Sequence, residues 1–297
     1  MKYSLIIPVA PYRDCEILDS IKKLNYDNKK YEIIIEEGYN PSKNRNRGAK
    51  KSKGKYLVFL DDDAILDKEY LNKADDFFYL HPGISVVGGP QLTPLSDKFF
   101  AKNAGYAIAS FFGSHKMAKR YKRGNLNLDA DEHSLTSANI IFKKEVFDKI
   151  PGFNPKLFPG EDPELLTRIK KNKFKIAYSS DLIIYHRRRP NMKLFCKQHF
   201  LYGKVRMNKE KFSGSNLSIL FLIPSAFLIY FVLIPFLYSI HWLLMMPLGL
   251  YIVLAIMASI QAAVENKDFK GIFLLPFLFL MIHLSYGAGM IAGLLKR

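Results

Sequence analysis

Tyr56-Leu57-Val58-Phe59-Leu60 runs straight into Asp61-Asp62-Asp63, and this junction limits the fold more than any other stretch. Five consecutive apolar residues, rich in strand formers, read as a strand covered on both faces, as in a mostly parallel sheet. Three carboxylates could not share that core unpaired without a cost of several kcal/mol. They belong where the strand emerges, at its carboxyl end, which is where open α/β sheets place their ligands. Strand alternation sends Asp61 and Asp63 to one side and Asp62 to the other. Two hard oxygen donors on one side can hold a divalent cation that also grips a diphosphate. The plainer alternative is a helix N-terminus, where Asp is favoured as a cap and by the dipole.

The flanking sequence extends the α/β pattern. Residues 4–9 read as a first buried strand ending in a Pro-marked loop, and 14–24 show helical spacing through Ile17, Leu18, Ile21 and Leu24 with Asp14 as a cap. A second strand, Tyr31 to Ile35, ends in Glu36-Glu37-Gly38. Asn44-Arg45-Asn46-Arg47-Gly48-Ala49 then opens a basic helix that closes at Gly54. Strand, helix, strand, helix, strand at this spacing begins a doubly wound α/β domain. After the acids come a helix over 68–80, a strand over Ile84–Gly89, and a strand followed by a short helix over 137–150. Phe158-Pro159-Gly160-Glu161-Asp162-Pro163 opens another helix. Pro163 suits a first turn with Asp162 at the N-cap. Asp162 reads equally as a carboxylate aimed into a site as general base. Two strand-like runs, Lys175–Tyr178 and Leu182–Tyr185, lead into His186-Arg187-Arg188-Arg189. The imidazole can ligate a metal or bond a phosphate. The arginines suit a diphosphate, or anchor the chain beside a membrane.

The C-terminal part has another character. No Asp, Glu, Lys or Arg occurs from Leu217 to Val264, nor from Gly271 to Leu295. A spanning helix needs roughly 20 apolar residues. The first block therefore accommodates two spans with a turn near Tyr238–Trp242, and the second accommodates one; buried soluble helices are the alternative. Leu5–Val9 is too short and carries Pro8, so no signal peptide is expected at the start. Cys15 and Cys196 imply neither a disulfide framework nor a zinc cluster.

The net charge of +17 lies before the apolar blocks, with all but four of the 44 Lys and Arg residues within 1–214. Such segments favour the cytoplasmic side of a bilayer and attract anionic headgroups. Nucleic acid is the rival partner, but zinc-finger spacing, a basic zipper and an RNA-recognition motif are all missing. Residues 99–123, aromatic and basic, read as a segment leaning on lipid or on a lipid-linked substrate, or as an ordinary amphipathic helix. Residues 192–211 place Leu194, Leu201 and Val205 on one face and Lys193, Lys197, Lys204 and Lys211 on another, which suits a helix in the membrane interface.

In this order and spacing the pieces resemble a known family. Ile7-Pro8-Val9, Arg45-Asn46-Arg47-Gly48, Lys53-Gly54-Lys55 with the strand to Asp63, Gly152-Phe153 and Gly160-Glu161-Asp162 together resemble a family 2 inverting glycosyltransferase over about residues 3–190. His186-Arg187-Arg188-Arg189, Tyr202-Gly203-Lys204 and His283–Gly289 are similar to its membrane-bound members that build exopolysaccharides or lipid-linked glycans. The resemblance implies a Rossmann-like GT-A nucleotide-sugar-binding domain over 1–190, an interfacial helix over 191–214, and about three transmembrane helices over 215–297.

It also implies roles. Pro8 and Val9 would line the base pocket, and Glu36 or Glu37 would contact the base in place of the family's usual aspartates. Arg45, Asp61, Asp62 and Arg187 would meet the nucleotide or its phosphates. Asp61, Asp63 and His186 would hold Mg²⁺ or Mn²⁺, and Asp162, with Glu161 beside it, would be the base. The expected donor is a nucleotide sugar, taken as a UDP-sugar. The expected acceptor is lipid-linked or a growing glycan at the cytoplasmic face of the cell membrane, with membrane lipids and other glycan-assembly proteins as partners and no nucleic acid. The alternatives are a polyprenyl-phosphate sugar synthase, whose acceptor needs no strong base, and an inactive sugar-binding or scaffold subunit.

Overall fold

A computed structural model of the chain describes residues 1–213 and 219–295. The described residues divide into two compact units, 1–94 with 119–187, and 95–118 with those from 188 onward. The first unit carries nine strands: β1 (Tyr3–Val9), β2 (Tyr31–Glu37), β3 (Tyr56–Leu60), β4 (Ala64–Leu66), β5 (Val86–Gly88), β6 (Gln91–Leu92), β7 (Asn139–Lys143), β8 (Ile176–Tyr178) and β9 (Ile184–His186). Six of them form one sheet in the order β2-β1-β3-β7-β5-β8. β1 runs parallel to β2 and β3, and β5 parallel to β8, whereas β7 is antiparallel to both of its neighbours. The sheet is therefore mixed rather than all parallel.

β3 is buried at every residue because both faces of the sheet are covered. Tyr56, Val58 and Leu60 join Leu5, Ile7, Ile17 and the helix Tyr70–Leu80 on one face. Leu57 and Phe59 join Ile6, Phe142 and Phe153 on the other. The Phe59 ring lies 5.6, 5.3 and 5.1 Å from those of Phe142, Phe147 and Phe153. Burial of each such side chain contributes about 1.5–3 kcal/mol. This packing fixes the strand whose last bond delivers Asp61.

Two expectations need revising. The helix read over 14–24 shrinks to Leu18–Ile21, because the chain turns there and the Asn25 amide pairs with the Lys68 carbonyl at 2.8 Å. β4 and β6, three and two residues long and too short to show a period, pair with β9 in a second sheet ordered β4-β9-β6. The register sets Ala64 opposite His186, so the histidine arrives beside the acids. Asn139 is fully buried and ties the two sheets. Its Oδ1 accepts from the Tyr70 hydroxyl at 2.6 Å, and its Nδ2 donates to the Leu182 and Pro90 carbonyls at 2.7 and 3.2 Å.

The second unit is helical: Phe99–Ala109, Met192–Ser213, Ile223–Ile240, Met246–Asn266 and Leu275–Leu295 are its long helices. Three segments, Leu220–Ile240, Trp242–Asn266 and Leu275–Leu295, are long and apolar enough to cross a membrane, with mean hydropathies of 2.5, 2.3 and 1.8. Met192–Ser213 lies along Leu275–Leu295 in backbone contact, since a Cβ at Gly203 would strike the Tyr286 carbonyl and one at Gly289 the Phe200 carbonyl. In the 99–123 segment, Phe99–Ala109 is a helix and most of its residues are buried, and Lys102 pairs with Asp268 at 3.2 Å. The Lys211 side chain, the 214–215 boundary and the Lys296-Arg297 tail lie outside the described residues.

Candidate active site

The acids lie in the tight turn between β3 and β4, where the Ala64 amide bonds the Asp61 carbonyl at 3.2 Å. Asp61 and Asp63 turn to one side and converge on His186, whose Nε2 lies 3.4 Å from Asp61 Oδ2 and 3.1 Å from Asp63 Oδ1. His186 Nδ1 sits 3.0 Å from its neighbour's carbonyl. Asp62 turns away, is almost wholly buried and meets Arg13 Nε at 3.1 Å. Arg13 Nη2 also takes Asp63 Oδ2 at 2.5 Å. Burial and the adjacent Asp63 push Asp62 up to about 6, against the pull of Arg13. Asp61 goes the other way: burial opposes its ionisation, but His186 and Arg45 outweigh it and hold the carboxyl well below its usual range.

Arg45, on the helix Pro41–Lys51, is 3% exposed. Its Nη2 reaches Asp61 Oδ1 at 2.8 Å and its Nη1 reaches Glu161 Oε1 at 3.0 Å. The guanidinium lies 5.4 Å from the Phe153 ring. One cation thus serves Asp61, Glu161 and, at longer range, Asp162. Glu161, the more buried of its two direct partners, is left undercompensated: burial, then the adjacent Asp162, push it up to about 7 against Arg45. The helix Glu161–Lys171 starts two residues earlier than the Pro163 pattern implies. Gly160, at φ 122°, holds the N-cap position, and Asp162 lies inside the first turn. Asp162 Oδ1 is buried without a hydrogen-bond partner. It borders a small apolar space with Ile140, Phe142, Phe153 and Leu165. The capping account of Asp162 therefore fails.

The turn before this helix is pinned from the Arg45 helix. Asn46 Nδ2 donates to the Phe153 carbonyl and Asn46 Oδ1 accepts from the Phe153 amide, both at 2.8 Å. Gly152 has φ 58°, and a Cβ there would strike Asn46 Oδ1. The Gly152-Phe153 pair is required by that clamp.

The remaining expected residues sit apart from this knot. Pro8 and Val9 end β1 in register with Glu36 and Glu37. Glu36 is buried, but its carboxylate meets Lys51 at 2.5 Å and Arg47 at 3.0 Å. Burial works against ionisation there, yet those two bonds win and lower its pKa. Glu37 is exposed and gives its carbonyl to Arg47. Arg187 Nε pairs with Glu16 at 2.8 Å. Arg13 and Asn46 escaped the sequence reading. Asn46 had a signal in its place between two arginines; Arg13, in a loop without periodicity, had none.

Asp61, Asp63 and His186 each offer a ligand atom, all within 4.8 Å of one another. Two carboxylate oxygens and an imidazole nitrogen form a donor set that fits Mn²⁺ or Mg²⁺, the nitrogen favouring the former.

The model of the family described as "Glycosyltransferase like family 2" matches residues 1–201. The chain belongs to this family. Glycosyltransferase AglE of Haloferax volcanii is 26% identical over 182 residues, 60% of this chain and 54% of AglE. The chain thus spans about half the length of that curated relative. Among solved structures, the mannosyltransferase PcManGT from Pyrobaculum calidifontis, in complex with GDP-Man and Mn²⁺, matches with a TM-score of 0.60 at 12% identity, covering 100% of this chain and 88% of that one. At that identity the likeness is one of fold, and it supports the mixed α/β GT-A architecture expected from sequence. S. aureus TarS 1–349 matches with a TM-score of 0.48 at 16% identity, covering 100% of this chain and 92% of that one.

Proposed function

We propose that this protein is a membrane glycosyltransferase that transfers a sugar, with inversion, from a nucleotide sugar to a lipid-linked or growing glycan acceptor at the cytoplasmic face. The observation that carries the reading is the pairing of two unlike carboxylate sites within one unit: Asp61 and Asp63 gathered on His186, and Asp162 with an oxygen committed to nothing. A UDP-sugar is the donor we favour. PcManGT, whose fold this chain shares, is seen in complex with GDP-Man and Mn²⁺, which supports a nucleotide-sugar donor.

Asp61, Asp63 and His186 would hold the divalent cation. When bound, it neutralises charge building on the departing diphosphate. The chain's own residues do the rest. An acceptor hydroxyl needs a positioned carboxylate to take its proton as it attacks the anomeric carbon, and Asp162 is that base. A single base opposite the leaving group gives direct displacement with inversion and needs no covalent nucleophile. Glu161 and Arg45 set the position and field of the base. Pro8 and Val9 line the nucleotide side, with Glu37 free to reach the base. Arg187, half exposed, is placed to turn towards phosphate. The catalytic domain would run to about 190, followed by an interfacial helix and three spans. The basic residues concentrated before the first span favour the cytoplasmic side.

The test is calorimetric titration of UDP-, GDP- and dTDP-sugars into detergent-purified protein, with Mn²⁺ and with chelator. Metal-dependent binding of one nucleotide class is expected. Failure of every sugar nucleotide to bind under both conditions would overturn the enzyme reading.

A further inference from the structure

Resting on the assignment of Asp61, Asp63 and His186 as a divalent-cation site, the geometry points to a role for Arg13 that the sequence motifs do not contain. We propose that Arg13 is the resident counter-ion of Asp62 and Asp63, and that it is handed over to the donor's diphosphate when a divalent cation is bound.

The argument starts from charge. Asp61, Asp62 and Asp63 leave β3 together, and the nearby cations are shared unequally. Arg45 is 3% exposed and divided between Asp61 and Glu161, so it is committed. Arg13 takes Asp62 and Asp63 at 3.1 and 2.5 Å, yet its side chain is 47% exposed. It sits on the turn after β1, where its amide bonds the Ala10 carbonyl at 3.2 Å. Tyr12, beside it, is fully exposed. The turn is anchored by fully buried Ile17, whose amide bonds the Asp62 carbonyl at 3.0 Å. Arg13 can therefore swing without unpacking the core, as Arg45 cannot.

A guanidinium on one oxygen of Asp63, with His186 on the other, lowers the negative potential that attracts a dication. It also presents a planar fork suited to phosphate at the mouth of the site. The same side chain therefore opposes a bare cation and favours the cation together with a diphosphate. That double sign separates this role from a purely structural one.

The experiment uses the full chain in detergent after chelator treatment, as wild type, Arg13→Gln and Arg13→Lys. Bound Mn²⁺ is read from the electron paramagnetic resonance signal of the free ion. UDP and GDP are then titrated at saturating Mn²⁺. Arg13→Gln is expected to bind Mn²⁺ about fivefold more tightly and the diphosphate about fivefold more weakly than wild type, the scale of one half-exposed ion pair. Arg13→Lys should fall between. Wild-type Mn²⁺ binding that is unchanged or weakened in Arg13→Gln overturns the counter-ion role. Unchanged diphosphate affinity overturns the handover. Absence of Mn²⁺ binding in all three proteins removes the cation site itself, and this proposal with it.

Discussion

The two sides of the candidate site treat their carboxylates in opposite ways. On the Asp61–Asp63 side every acid has a cation or an imidazole: Arg45 and His186 for Asp61, Arg13 for Asp62, and Arg13 with His186 for Asp63. Across Arg45, Asp162 keeps a buried oxygen with no hydrogen bond. A carboxylate engaged by a guanidinium or an imidazole is held in place, which suits binding. An oxygen with no hydrogen bond is left open to a substrate hydroxyl, which suits general-base chemistry. The contrast agrees with the proposal that one side binds and the other carries the chemical step.

The sharpest way to break this division is Asp162→Asn. It should lower kcat by about a thousandfold, within the range for loss of a general base, while nucleotide-sugar affinity by calorimetry stays near wild type. Near-normal turnover would place the base elsewhere and favour a lipid-phosphate acceptor. Asp63→Ala should do the reverse, weakening Mn²⁺-dependent nucleotide binding about a hundredfold, or roughly 3 kcal/mol. If nucleotide binding survived with its metal dependence intact, Asp63 would not be a ligand.

Arg45 joins the two sides, and its removal tests whether they are separate at all. Arg45→Met leaves Glu161 buried without its cation and should cost about 3–5 kcal/mol of stability in denaturant unfolding. A loss below about 1 kcal/mol, the scale of an exposed pair, would mean the bridge is solvated.

The smallest expected effect is in pH. Glu161 in the folded chain is raised from 4.5 to about 7, so between those values the native state binds more protons than the unfolded one. Its contribution to stability is therefore lost as pH rises through that window. Glu161→Gln should flatten the slope of melting temperature against pH between 5 and 7. An unchanged slope would assign the titration to another group.

Much of the fold was legible because its signals are long. β3 declares itself by five apolar residues ending in acids, and the C-terminal helices by uncharged blocks. Asp61, Asp63 and His186 could be nominated one by one, but their meeting depends on the Ala64–His186 register, made by strands too short to show alternation. Arg45 was legible as a site residue. Its burial between two carboxylates was not, because nothing local to residues 41–51 reveals that Glu161 arrives from 116 positions away. Arg13 lay in a loop, where charge carries no periodic signature.

The Asn46 clamp on Phe153 gives the site a mechanical economy. Arg45 and the turn leading to Asp162 are joined through the Asn46 side-chain amide, which couples their positions. A load on the 152–160 turn would shift Asp162 and the Asp61 partner Arg45 together. Displacement there would then be felt at Asp61 without any wider rearrangement of the sheet.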